Sequence, residues 1–177
     1  MARNRRSSSS RRIVLQGPDQ EDLSAILRST PESRTILDEG SILAIQLLPW
    51  GSNYTYLALI GRGDEPEGAG IYKPRSGEAP LWDFPDGTLY QREVAAYRLS
   101  QILGWDLVPY TIIADGPKGI GSLQQYIDPI EDDYANMREE GGDTFRRMAV
   151  FDYVANNADR KSIHWLKGVD GRIWGID

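Results

Sequence analysis

Between residues 41 and 73 three β-like runs, broken by glycine and proline, come before any long helical pattern. Ser41-Ile-Leu-Ala-Ile-Gln-Leu-Leu48 is ended by Pro49, Gly51-Ser-Asn-Tyr-Thr55 interrupts, and Tyr56-Leu-Ala-Leu-Ile60 resumes the strand character. Two such runs around a glycine turn predict a hairpin. Gly61 to Gly70 reads as a polar turn, and Gly70-Ile-Tyr-Lys73 as a third strand stopped by Pro74. After an irregular stretch to Gly87, a helix is expected over Leu89–Leu103, with Val94, Ala95, Leu99, Ile102 and Leu103 on its inner face and Gly104 closing it. Strands are expected at Val108–Ile113 and Ser122–Ile127, with Asp115-Gly116 in the connection between them, and an acidic loop at Glu131, Asp132 and Asp133. A second helix spans Asp143–Ala155, with Phe145, Met148, Ala149 and Val154 among its apolar residues. A hairpin of Trp165–Lys167 and Arg172–Ile176 turns at Asp170-Gly171. Upstream, Pro18 to Arg28 reads as a short helix. This order predicts an α+β fold, a mostly antiparallel sheet with one inserted helix, rather than the βαβ alternation of a parallel sheet.

Charge is unevenly spread. Residues 1–12 hold five arginines and the four consecutive serines Ser7–Ser10, with no acid; the remainder has 15 basic against 26 acidic residues, a net −11. Such a body repels nucleic acid. The tail, taken as residues 1–16, lacks the apolar surface to fold and reads as a solvated, disordered segment, leaving an RNA or anionic lipid contact as an alternative. No apolar run approaches the roughly 18 residues needed to span a bilayer. With no cysteine in 177 residues, disulfides and thiolate metal sites are excluded, which suits a cytoplasmic protein.

Several polar residues stand where phosphoryl-transfer chemistry would want them. That chemistry needs phosphate cover, a lysine, an acid to fix the lysine, a proton acceptor and metal ligands. Gly51, Ser52 and Asn53 lie at the hairpin turn, where backbone N–H groups and small side chains can face phosphate oxygens, although an ordinary turn reads the same way. Lys73 ends the third strand and Glu93 stands early in the following helix; they form a candidate pair, each also readable as a surface charge. Asp159, Arg160, Lys161 and His164 crowd a short loop between two apolar elements, a polar density unusual for a simple connection. Asp159 is the expected proton acceptor. Arg160 would brace the loop or screen phosphate, and His164 is a metal-ligand candidate or a lone packed histidine. Asp177, after Trp174-Gly-Ile176, is placed to hold Mg²⁺, or else is a solvated terminus.

With four segments taken together, the chain resembles the small bacterial phosphatidylinositol 3-/4-kinase-like proteins, a branch of the atypical kinases similar to HipA-type and secretory-pathway kinases. The segments are Gly51–Thr55; Ile71-Tyr-Lys-Pro-Arg-Ser-Gly-Glu78 with Leu81-Trp-Asp-Phe-Pro-Asp-Gly87; Gln91-Arg-Glu-Val-Ala-Ala-Tyr97; and Phe151 to Lys161 with Trp174-Gly-Ile-Asp177. The resemblance implies a kinase-like N-lobe over residues 17–127 and the start of a C-lobe over 128–177. It implies ATP held by Lys73 paired with Glu93, an adenine hinge at Gln125-Tyr-Ile127, and Asp159, flanked by Arg160 and Lys161, as catalytic base. It also implies Mg²⁺, with Mn²⁺ an alternative, on His164 and Asp177. Two features depart from the pattern. The loop reads Asp159-Arg-Lys161 with His164, where lipid kinases usually carry Asp-Arg-His and an asparagine; and the chain stops at Asp177, where relatives continue into a helical lobe, so a truncated reading frame or a fragment is expected. The expected activity is phosphotransfer to a protein or small-molecule acceptor. The alternatives are a nucleotide-binding pseudokinase, AMP transfer on the same fold, and an interaction module built on the arginine tail.

Overall fold

The computed structural model describes residues 26–28, 30, 32–49 and 53–176. The tail, most of the Pro18–Arg28 segment, Gly51, Ser52 and Asp177 lie outside the described residues. The fold is α+β. Strands β1 (Ser41–Leu47), β2 (Tyr56–Gly61), β3 (Gly68–Pro74), β4 (Thr111–Gly116) and β5 (Gly119–Gln125) form one antiparallel sheet in the order β1-β2-β3-β5-β4. Four helices are described: α1 (Ser33–Glu39), α2 (Leu89–Ile102), α3 (Tyr134–Glu140) and α4 (Gly142–Val154). A 3₁₀ turn over Ser162–His164 leads into the separate hairpin β6 (Trp165–Lys167) and β7 (Ile173–Gly175). Among the described residues no helix is long and apolar enough to cross a membrane.

Register decides what each face of the sheet carries. Directly paired residues of neighbouring strands point to the same side. Tyr72 pairs with Leu123, and with Ala58, Ile60, Ile36 and Leu37 it forms a buried cluster under α1. Ile71 pairs with Leu57 and Gln124, and Lys73 with Ser122, so Ala69, Ile71, Lys73 and Leu57 share the opposite face. There Leu48, Leu57, Ala69 and Tyr126 form a second cluster, with Ile26, Leu27 and Ile71 packed against it. Each Leu, Ile or Tyr so enclosed contributes roughly 1.5–3 kcal/mol of apolar burial. β3 lies between β2 and β5, so its backbone is paired on both edges and Lys73 is held by a rigid element.

A third cluster joins the sheet to the C-terminal elements. Tyr97 of α2, Leu107 and Val108 pack with Met137, Met148, Phe151 and Trp165. The residue 127/128 boundary expected from sequence is therefore crossed by a shared core. Phe145 stacks on Trp165 with ring centroids 3.8 Å apart.

Several expected details change. In α2 the buried positions are Tyr90, Tyr97 and Ser100, while Ala95 is exposed and Ile102 is 81% exposed. Ser100 Oγ accepts the Leu107 and Val108 N–H groups, which turns that face inward. In α4 Met148, Phe151 and Asp152 are buried, whereas Ala149 and Val154 face solvent. Strand β4 begins three residues later than expected and β5 three earlier, because the reversal falls at Pro117-Lys118 with Gly119 at φ 88°. The acidic loop caps a helix: Asp133 Oδ1 accepts Asn136 N–H at 2.8 Å, and Asp132 binds Lys167 at 2.9 Å.

Candidate functional site

Pro74 terminates β3 immediately after Lys73, and a 3₁₀ turn over Arg75–Gly77 redirects the chain towards α2. Lys73 Nζ meets Glu93 Oε1 at 2.5 Å, with the two side chains 14% and 16% exposed. Both charges are thus largely out of water, where an unpaired carboxylate or ammonium is costly. The pair stands on the same sheet face as the apolar Leu48–Leu57–Ala69–Ile71–Tyr126 patch. A cation held by a carboxylate beside a packed apolar face suits an anionic ligand group.

The strand-to-helix connection is pinned at several points, to the turn at residues 53–54 and to the start of α2. Tyr54 N–H donates to the Gly77 carbonyl at 2.9 Å, and Ala79 N–H to Asn53 Oδ1 at 2.7 Å. A Cβ on Gly77 would lie 2.6 Å from Tyr54 Cβ, so glycine permits this approach. Asn53, expected to face phosphate, therefore spends its carbonyl oxygen on tethering the turn. Glu78 Oε1 accepts Tyr90 N–H at 2.7 Å and caps α2, whose N-cap Thr88 makes no side-chain cap bond. Glu78 Oε2 is buried and makes no hydrogen bond. Arg92 lies over the Phe84 ring at 4.0 Å and donates to the Ala155 carbonyl at 3.4 Å. Helix α2 thus presents Glu93 to Lys73 and, through its neighbour, grips the start of the 156–164 loop.

In that loop Asn156 adopts φ 54° as α4 ends. Arg160 does not point at a ligand position. Its Nε and Nη2 donate to Asp152 Oδ2 and Oδ1 at 3.0 and 2.8 Å, and its Nη1 to the Ile176 carbonyl at 2.6 Å. Asn157 Nδ2 donates to Asp152 Oδ1 at 2.9 Å. Ile176 N–H donates to the His164 carbonyl at 2.9 Å, so both sides of residue 176 are fixed. Arg160 is accordingly a positioning residue. Asp159 and Lys161 are more exposed and form an ion pair of 2.8 Å. The Lys161 hydrogen bond, with the charges of Lys161 and His164 adding to it, holds the Asp159 carboxyl below the usual carboxylate range. Lys161 N–H donates to His164 Nδ1 at 3.3 Å.

Gln125 pairs with Gly70, which turns its side chain to the Tyr72 face, away from Lys73; Tyr126 packs with Leu57 and Ala69 on the Lys73 face. Gln125 and Ile127 line a cavity of 280 Å³ with Arg34, Gly168, Asp170 and Trp174, which does not include Lys73. Its place gives it no part in the Lys73–Glu93 geometry. Among the described residues no three His, Asp or Glu side chains cluster to hold a metal ion. Asp177, Gly51 and Ser52 lie outside the described residues.

Sequence reasoning missed Asp152, Arg92 and the capping role of Glu78. Asp152 had a signal: with Met148 and Phe151 it falls on one helical face, and an acid there needs a partner. The Glu78 contact joins residues 12 apart across an irregular loop and has no periodic signature.

No family profile matches the chain. It is 38% identical to Protein Rv2133c of Mycobacterium tuberculosis over 182 aligned positions, which take in 82% of this chain and 65% of that protein. The chain thus spans about 65% of the length of the relative it matches.

Proposed function

We propose that the chain binds ATP on the Lys73 face of the sheet and transfers its terminal phosphate to an acceptor hydroxyl, as a member of the phosphatidylinositol 3-/4-kinase-like group. The supporting observation is the Lys73–Glu93 pair, shielded from water at the end of an apolar strand face. The Lys73 ammonium, at the end of an apolar strand face, suits phosphate oxygens. Glu93 holds that ammonium in place, and α2 is in turn held by Glu78. Asp159, ionised at neutral pH beside Lys161, accepts the acceptor's proton. Arg160 and Asp152 fix the loop that carries it. Mg²⁺ takes oxygen donors, and the His164 Nδ1 already accepts the Lys161 N–H, so His164 fits that ion poorly and Asp177 is the residue that would hold it and help neutralise the phosphates. The acceptor is a protein or small molecule.

A second reading, a nucleotide-binding module without turnover, is favoured by one feature: the Asp159 carboxylate is already engaged by Lys161 at 2.8 Å. A thermal shift with ATP–Mg²⁺ tests both readings at the binding level. At a hundredfold excess over Kd the ligand adds roughly 2–3 kcal/mol to folded-state stability. That gain is expected for the wild type and should vanish in Lys73→Ala. Absence of any shift at saturating nucleotide overturns the proposal. Phosphotransfer that is lost in Asp159→Asn, with the thermal shift kept, selects the enzyme over the module.

A further inference from the structure

We propose that the chain's own arginine–serine tail is a phosphate acceptor, with Ser7–Ser10 the modified residues and the Trp82 loop their docking point; this rests on the phosphotransfer reading above. Trp82 is 97% exposed, in a loop that leads from Lys73 to the helix carrying Glu93. An indole so placed leaves its whole π-face open to a partner. The exposure does not come from slackness. The loop is tied at Ala79 by Asn53, at Phe84 under the Arg92 guanidinium, and at Thr88, whose hydroxyl donates to the Pro85 carbonyl at 2.6 Å. Between Arg75 and Arg92 there is no basic residue, while Asp83 and Asp86, both exposed, are acidic. An exposed indole with acids one and four residues further along the same loop suits a cation, and arginine above all, by stacking and charge together. The chain already makes such pairs, Arg92 on Phe84 at 4.0 Å and Arg172 on Trp174 at 4.1 Å, whereas the Trp82 ring carries no cation among the described residues.

The sequence supplies the complement. Arg3, Arg5, Arg6, Arg11 and Arg12 flank Ser7–Ser10, and the rest of the chain carries a net −11. Ser10 stands 16 residues before Ile26, the first described residue. An extended segment of that length spans up to roughly 55 Å, more than the roughly 30–40 Å across a compact chain of this size. Tethering also raises the local concentration of the serines to the millimolar range. In the reaction a serine Oγ forms a bond to the γ-phosphorus of ATP, and the bond from that phosphorus to the β–γ bridging oxygen breaks. ADP leaves with the electron pair, and the hydroxyl proton passes to the Asp159 carboxylate.

The test is intact-mass and fragment-mass analysis of the full chain incubated with ATP–Mg²⁺. Phosphate is expected on Ser7–Ser10 in the wild type and absent when all four are replaced by alanine. Trp82→Ala combined with Asp83→Asn and Asp86→Asn should slow tail phosphorylation at least fivefold while the nucleotide thermal shift is kept. These side chains are exposed and outside the core, so folding is not at risk. A chain that is stabilised by ATP but leaves its tail unmodified, or modifies it at an unchanged rate without Trp82, overturns the inference and spares the nucleotide reading. A chain that shows neither nucleotide stabilisation nor phosphate overturns both.

Discussion

Replacing Arg160 by alanine removes three hydrogen bonds at once: two to the Asp152 carboxylate and one to the Ile176 carbonyl. The ion-pair side chains are 15% and 12% exposed, so truncation strands a carboxylate that water reaches poorly. Breaking one partner of a buried pair costs about 3–5 kcal/mol. Asn157 still donates to Asp152, which places the expected loss near the lower end, about 3 kcal/mol. With a urea slope of about 2–3 kcal/mol per M, the unfolding midpoint should fall by roughly 1–1.5 M. A double variant, Arg160→Met with Asp152→Leu, removes both charges and should lose less than the two single variants together, because no charge is left unpaired. Urea melts of the three variants measure this directly. A loss in Arg160→Ala below about 1 kcal/mol, the range of solvent-exposed pairs, would refute the account of Arg160 as the brace of this loop.

Two further outcomes follow from the geometry. The Tyr110 phenol, desolvated and donating to Asp38, has its pKa raised to about 12. Its contribution to stability is complete below the unfolded-state value near 10 and is lost as pH rises towards 12, so ultraviolet titration should show Tyr110 titrating late, as does Tyr72, whose burial also raises it, with the Tyr110 step moving part of the way back in Asp38→Ala while the Tyr72 step stays. Gly121→Ala would put a Cβ 2.3 Å from the Lys73 carbonyl and 2.7 Å from Pro74 Cα, pushing β5 off the end of β3. A loss of about 1–3 kcal/mol in thermal or urea unfolding is expected, with a weaker nucleotide shift than in wild type; unchanged stability would contradict the close approach of the two strands.

The sheet and its principal helix were legible because their signals are local. Alternating apolar residues, Pro49 and Pro74 as stops, and Gly104 at φ 64° mark β1 to β3 and α2 within a residue or two at most ends. Helices α1 and α3 were not read. Each is seven residues long, too short for a periodic stripe to stand out, and α3 is fixed by its Asp133 cap and by tertiary packing. The shift at β4 and β5 has a different origin. Val108-Pro-Tyr-Thr-Ile-Ile113 has strand composition, but Leu107 and Val108 are taken by the core shared with α4. At the candidate site, pairing Lys73 with Glu93 required only a strand end and an early helical position. The role of Arg160 was left open between phosphate and bracing, because the choice depends on Asp152 and Ile176, which meet it only in the folded chain.

The clamp on Ile176 has a practical side. With its amide given to His164 and its carbonyl held by Arg160, the direction in which the backbone leaves residue 176 is set by the fold. Whatever is joined beyond residue 176 therefore sets out from a peptide whose course the Arg160 brace fixes, so a bulky fusion there would load that brace directly. A handle for biochemistry set instead in the exposed turn between β2 and β3, at Gly63–Glu65, would leave the brace untouched.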